Sequence, residues 1–245
     1  MSKKIENLIH ILKESNNVVF FGGAGVSTAS NIPDFRSANG LFNEKLNITL
    51  TPEQLVSHTF YLKYTKEFFN FYKQKLIYPD AKPNNAHIAL AKLEKMGKLK
   101  AVVTQNIDGL HQIAGSKNVF ELHGSVHRNY CVSCNEFYDY NFIINSKDVP
   151  TCAKCGHTVK PDVVLYEEGL DDSIIKGSID AISKADTLII GGTSLIVYPA
   201  AGLIDYFKGK NLILINKSTT PADNRADLVI NDSIDTVLFD AVNKL

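Results

Sequence analysis

Four cysteines fall as Cys131-x2-Cys134 and Cys152-x2-Cys155, with seventeen residues between the pairs. Each pair can offer two thiolates from one turn, and two such turns close a tetrahedral shell. Four sulfurs leave no open position for water or substrate. The metal expected at these cysteines, one zinc ion per chain, is therefore structural rather than catalytic. His127 and His157 lie close in sequence, but the cysteines alone already complete the shell.

Four polar clusters could also do chemistry: Pro33-Asp34-Phe35-Arg36, the run from Thr104 to His111, Glu121-Leu122-His123-Gly124, and Gly192-Thr193-Ser194-Leu195. A glycine-rich turn, Gly22-Gly23-Ala24-Gly25-Val26-Ser27-Thr28, adds a place where backbone amides could approach a pyrophosphate. Thr28 stands where the usual dinucleotide fingerprint has a third glycine or alanine. Asn216 ends an apolar run and could hold a ribose hydroxyl.

The elements that must position these residues follow from hydrophobic spacing. Ile5, Leu8, Ile9 and Leu12 keep helical spacing, and after Asn16-Asn17 comes the all-apolar run 18–21. Similar strand-sized runs occur at 101–104, 119–122, 188–191, 212–216 and 228–231, with helical patterns between several of them. Strands apolar throughout and interleaved with helices imply a parallel sheet covered on both faces. Three of the four polar clusters directly follow such strands, where open α/β sheets bind ligands.

The expected fold class is α/β: a doubly wound, mostly parallel (Rossmann-like) sheet with a smaller inserted lobe. Residues 37–79, rich in aromatics from Phe60 to Tyr72, supply the lobe's helical part. Residues 125–160, with all four cysteines and little regular structure expected, supply its zinc-binding part. Residues 1–36, 80–124 and 161–245 form the nucleotide-binding domain. A chain of 245 residues has room for one full core plus such a lobe.

Charge narrows the partners. Lys+Arg and Asp+Glu both number 26, so no net field draws the protein to nucleic acid or an anionic membrane. The first residues run into an amphipathic pattern without a leader-type apolar core, and no apolar run approaches the roughly 20 residues of a membrane helix. A cytoplasmic location is expected, which favours metal over disulfides at the cysteines.

Taken in order, Gly23-Ala24-Gly25-Val26-Ser27, Ile32-Pro33-Asp34-Phe35-Arg36, Thr104 to His111, His123-Gly124, both cysteine pairs, Lys160-Pro161-Asp162-Val163-Val164 and Gly192-Thr193-Ser194-Leu195 resemble the sirtuin family. The resemblance spans about residue 5 to residue 240 and is closest to compact bacterial members. It implies an NAD-dependent protein lysine deacylase that transfers an acyl group to ADP-ribose and releases nicotinamide. In that chemistry the acyl oxygen attacks the anomeric carbon of the nicotinamide ribose, and a histidine then takes a proton from a ribose hydroxyl. By motif the histidine is His123, whose imidazole titrates near working pH.

The resemblance further implies that Asn106 and Asp108 surround the nicotinamide ribose and carboxamide, with Gln105 and Ile107 in the same pocket. Phe35 matches the aromatic that shields the reactive face, and Arg36 a basic partner near the phosphates. Gly23, Ala24, Gly25, Thr28, Asp34, Gly192, Thr193, Ser194, Asn216 and Ile234 match contacts along the rest of NAD. Val163, Val164 and Tyr166 match the edge on which an extended acyl-lysine protein or peptide substrate pairs.

Three positions depart from the family pattern: Gly23 replaces a threonine, Asn31 a glycine, and Tyr166-Glu167-Glu168 a Phe-Gly-Glu run. None removes a catalytic group. An NAD hydrolase or protein ADP-ribosyltransferase would use the same pocket, and a zinc-ribbon module could keep NAD as a structural ligand. His123, Asn106 and Asp108 argue against the last. Tyr72-x2-Lys75 stands where members preferring acidic acyl chains have tyrosine and arginine, so acetyl-lysine is expected to be the better substrate.

Overall fold

The structure, a computed structural model, describes residues 2–34 and 50–245. Phe35 and Arg36 lie outside the described residues. Among the described residues, helices α1 (Lys3–Glu14), α2 (Pro52–Leu55), α3 (His58–Lys63), α4 (Thr65–Lys75), α5 (Asn85–Lys95), α6 (Leu110–Ala114), α7 (Tyr140–Asn145), α8 (Asp172–Lys184) and α9 (Ile234–Val242) punctuate nine strands. These are β1 (Val18–Gly22), β2 (Leu99–Thr104), β3 (Val119–Glu121), β4 (Gly124–Cys131), β5 (Phe137–Tyr138), β6 (Val159–Val163), β7 (Thr187–Gly191), β8 (Asn211–Ile215) and β9 (Leu228–Ile230).

Six strands form one parallel sheet in the order β3-β2-β1-β7-β8-β9. Every residue of β1 and β7 is buried, as expected of strands covered on both faces. The pleat sends alternate side chains to two cores. Phe20, Ile189 and Ile213 meet α1, α5 and α9 on one face, while Val19, Phe21, Leu188 and Ile190 meet α8 and the 3₁₀ segment Ala200–Tyr206 on the other. Each such large apolar side chain contributes on the order of 1.5–3 kcal/mol by leaving water.

The winding reverses between β1 and β7. From β1 the chain steps outward through β2 to β3, and from β7 it steps the opposite way through β8 to β9. A crevice therefore opens at the carboxyl ends of β1 and β7, the place where doubly wound sheets bind ligands. The glycine-rich turn leaves β1 there, and Gly192-Thr193-Ser194 leaves β7 beside it.

The second lobe is more ordered than the sequence suggested. Residues 124–163 hold a three-stranded antiparallel sheet in the order β5-β4-β6, with α7 beside it. Pro161 disguised β6, since proline within a run argues against a strand. Yet Val159, Pro161 and Val163 alternate inward against Lys160 and Asp162, which is a strand pattern with a proline inside it. The described part of the helical stretch runs through α2, α3 and α4, and its Phe68, Phe69 and Tyr72 share one core with Cys131, Cys152, Val126 and Val163. β6 runs across the boundary expected between residues 160 and 161.

Candidate active site

Two loops touch through their backbones at the crevice. Gly25 N–H donates to the Gly192 carbonyl at 2.8 Å. A Cβ on Gly25 would lie 2.8 Å from Gly192 Cα, and Gly192 itself has φ of 59° with Val26 N where its Cβ would go. Only glycine fits at either position. Beside them, Thr193 N–H donates to Asn216 Oδ1 at 3.0 Å, and Gln105 Nε2 donates to Thr193 Oγ1 at 3.0 Å. The ends of β2, β7 and β8 are thus tied to one another at the expected cofactor residues.

Gly23 has a physical reason of its own. A Cβ there would come within 2.9 Å of Thr193 Cβ, so the threonine of the β7 loop occupies space that a side chain at residue 23 would need. Asn31 adopts φ of 63°, the left-handed conformation that asparagine tolerates. Ala24, Thr28 and Asp34 follow on the same loop, where Thr28 Oγ1 donates to the Gly25 carbonyl at 3.0 Å; Ser194 is exposed on the β7 loop. Ile234 sits differently: its side chain packs in the core against Gly191, whose Cβ would lie 2.0 Å from Ile234 Cδ1. Its backbone begins α9.

A polar cluster lies where β2 ends. Ser27, wholly buried, donates to Asp108 Oδ2 at 2.7 Å and accepts from Asn106 Nδ2 at 3.0 Å. Asp108 Oδ1 accepts from Leu110 N–H at 2.9 Å. Burial pushes the Asp108 carboxyl above its ordinary value, while the bonds from Leu110 and Ser27 oppose that shift. His127 Nε2 lies 3.0 Å from the Asp108 carbonyl, and its ring meets Tyr140 edge-on. Ser27 and His127 were not among the residues expected to act. Ser27 lay within the glycine-rich motif, whereas His127, near the cysteines in sequence, points to the cleft instead.

His123 follows β3 and faces the same cluster. Its Nδ1 lies 2.9 Å from the Gln105 carbonyl. A carbonyl oxygen only accepts, so Nδ1 carries the proton and Nε2 is left as the basic nitrogen. Burial lowers the pKa of His123 below the usual imidazole value, against a smaller upward pull from the Gln105 bond. Gly124 makes the sharp exit possible: it has φ of 75°, and a Cβ would lie 1.9 Å from the Asp162 carbonyl.

These groups wall a cleft of about 340 Å³, within the range of small-molecule sites. Ala24, Gln105, Asn106, Ile107, Asp108 and His123 line it from the large domain, and Val163, Val164 and Tyr166 from the end of β6 and the segment that follows. Val164 N–H donates to the His123 carbonyl at 3.0 Å, which ties this segment to the loop that carries His123. Tyr166 pairs on one side with residues 56–58: its N–H reaches the Val56 carbonyl at 3.0 Å, and its carbonyl accepts from His58 N–H at 2.9 Å.

The segment then turns. Glu168 N–H closes on the Leu165 carbonyl at 3.0 Å, with Glu167 at the third position and φ of 76°. This is where a type II turn calls for glycine, which accounts for the glycine expected there. A glutamate in that conformation costs on the order of 1–2 kcal/mol. Two bonds to its carboxylate offset the strain, from Thr59 N–H at 2.8 Å and Thr59 Oγ1 at 2.7 Å. Glu168 is instead half-buried, with His58 Nδ1 at 2.7 Å and Lys160 Nζ at 3.2 Å. Lys75 lines the cleft, but Tyr72 does not; it is fully buried and stacked on Phe68.

The four cysteine sulfurs lie within 4.8 Å of one another, with neighbouring pairs at 3.4–3.6 Å. Sulfurs around zinc at about 2.3 Å form a tetrahedron with edges of roughly 3.8 Å, so the donor set fits that ion and is far from disulfide distance. Ser133 N–H, Cys134 N–H and the Tyr138 hydroxyl point at these sulfurs and would steady them as thiolates. None of the four lines the cleft.

Fold and site together define a doubly wound nucleotide-binding protein with a four-cysteine lobe suited to zinc and a histidine, His123, set in a polar cleft. Residues 23–199 match the Sir2 family, and the chain belongs to that family, the sirtuins. It is 77% identical over 239 residues to the NAD-dependent protein deacetylase of Clostridium perfringens (strain 13 / Type A), covering 97% of this chain and 98% of that one. Identity to the protein of the same description in Clostridium acetobutylicum is 66% over 236 residues, 96% of each chain. Among solved structures, a Sir2 with deacetylated p53 peptide and 3'-O-acetyl ADP ribose superimposes with a TM-score of 0.89 at 38% identity, covering 98% of both chains. A Sir2, p53 peptide and NAD+ complex gives 0.86 at 38% identity, covering 100% of this chain and 98% of the other.

Proposed function

We infer that the chain is an NAD-dependent protein lysine deacetylase that transfers the acyl group from lysine to ADP-ribose and releases nicotinamide. The observation that carries this reading is His123: its Nδ1–H is held by the Gln105 carbonyl and its Nε2 faces a cleft shared with Asn106 and Asp108. A neutral imidazole held in one tautomer can take a proton from a ribose hydroxyl. NAD, as co-substrate, supplies the ribose that accepts the acyl group.

Each neighbour has a task within reach. Ser27 fixes Asn106 and Asp108 relative to each other, so an amide and a carboxylate meet the nicotinamide end together. Gly23, Ala24, Gly25, Thr28 and Asp34 of the first loop, and Gly192, Thr193, Ser194 and Asn216 beyond it, would hold the rest of the dinucleotide. Gln105 and Ile107 would close the nicotinamide pocket, and Ile234 would contribute its backbone. Phe35 and Arg36 keep the roles given by motif. Acetyl-lysine peptides or proteins are the substrates, lying along Val163, Val164 and Tyr166.

Zinc at Cys131, Cys134, Cys152 and Cys155 would hold the small lobe together and take no part in the acyl transfer. No helix among the described residues is long and apolar enough to cross a membrane. Paired thiols that fit a metal support a reducing, cytoplasmic setting. The test is to incubate the protein with NAD and acetyl-lysine peptide and to weigh the products. Deacetylated peptide with O-acetyl-ADP-ribose in equal amounts is expected; nicotinamide released without deacetylation would instead favour NAD hydrolysis.

A further inference from the structure

The rim of the cleft carries one carboxylate with spare capacity. Glu167 is exposed and forms part of the cleft wall. Its Oε2 is fixed by Thr59 N–H and Thr59 Oγ1, and those bonds hold the carboxyl below its usual range, so it is charged at neutral pH. No hydrogen bond among the described residues goes to Oε1. The next residue, Glu168, is spent: His58 Nδ1 lies on its Oε1, and Lys160 and Leu165 N–H both reach its Oε2. Lys63 and His58 lie close enough to favour the charged form of Glu167.

The conformation of Glu167 makes its placement deliberate. The turn asks for glycine, and a glutamate is kept there in left-handed backbone by its grip on Thr59. A side chain so held does not swing freely in solvent; it presents an oriented charge one residue beyond the edge at Val163, Val164 and Tyr166. We propose that Glu167 selects substrates, favouring acyl-lysine peptides with a lysine or arginine flanking the modified residue over those with aspartate or glutamate there. This rests on the deacetylase reading of the same cleft. A basic flank gains an ion pair at Oε1, and an acidic flank meets a like charge.

The test uses three acetyl-lysine peptides that differ only at the flanking positions: neutral, basic and acidic. With the parental protein the ratio of kcat/KM, basic to acidic, is expected at about threefold to fivefold, the size an exposed pair supports, and expressed in KM rather than kcat. It should shrink in 0.5 M salt, because exposed charges are screened. Glu167→Gln and Glu167→Gly should both bring the ratio close to one. The ratio is read within each variant, so a change in overall turnover does not obscure it. No preference in the parental protein, or a preference that both variants retain, would overturn the proposal. Failure on all three peptides, the neutral one included, would instead remove the deacetylase reading on which it rests.

Discussion

At the scale of single residues, the site depends on hydrogen bonds that fix protonation and direction. His123→Ala should lower deacetylation by about 10²–10⁴ while NAD binding, measured by titration calorimetry, is largely kept. The lowered pKa of His123 sets the sign of the pH response: the neutral base survives into acid, so the acid limb of kcat/KM should fall below pH 6.5. A limb centred above that value would remove the histidine from this role. Ser27→Ala should be nearly as informative, because it cuts both the Asp108 and the Asn106 bond. Buried groups left unpaired cost about 1–3 kcal/mol, and small misplacement costs up to about 10²-fold in rate. Residues 72 and 75 bear on the acyl chain. An acidic acyl group would need a hydroxyl and a cation aimed at it together, yet Tyr72 is buried away from the cleft that Lys75 lines. Acetyl peptide should therefore give the higher kcat/KM than matched succinyl peptide, and the opposite order would refute this.

Elements carry these residues, and their legibility in the sequence varied for physical reasons. The parallel strands were plain because both faces are buried, leaving runs such as Val18-Val19-Phe20-Phe21 without polar interruption. The crevice was legible because glycine is forced where Gly25 and Gly192 touch. The small sheet was hidden, since β4 carries Ser125, His127, Arg128 and Asn129 and is held by partners distant in sequence, including β6 and Asp162 on Arg128. No local pattern announces such pairing. Nor did sequence reveal that His87 of α5 and His111 of α6 meet edge-on at 4.7 Å, both buried. Burial lowers His87 to about 4 and His111 well below the usual imidazole value. The unfolded chain takes up protons first as pH falls, so stability contributed by these neutral rings is complete above pH 6.5 and lost progressively towards pH 4. For His87 alone that amounts to at most about 3 kcal/mol. Urea midpoints should fall between pH 7 and pH 5, above the carboxylate range, and His87→Gln should flatten the fall; an unchanged slope would discount the pair.

The whole molecule is a rigid sheet with a lobe that completes one wall of its cleft, and the metal acts across that division. Cys131 and Cys152 are buried in the core that contains Phe68, Phe69 and Tyr72, and the same core reaches Val126 and Val163, which face the cleft. No cysteine approaches His123's cleft, so any effect of zinc on catalysis must pass through this packing. Binding of zinc to small four-ligand sites is worth on the order of 10–16 kcal/mol, comparable with the entire stability of a domain, about 5–15 kcal/mol. Without it, the lobe's strands β4, β5 and β6 have only that apolar core and their own pairing to hold them. Cys131→Ser, or removal of zinc by a chelator, should therefore abolish deacetylation through loss of the wall at Val126 and Val163. NAD affinity should fall less, because the loops after β1, β7 and β8 rest on the parallel sheet. Zinc content by elemental analysis, deacetylation rate and NAD affinity, measured on the same samples, give the check. Zinc-free protein that still deacetylates at the parental rate would show that the lobe holds its shape without metal.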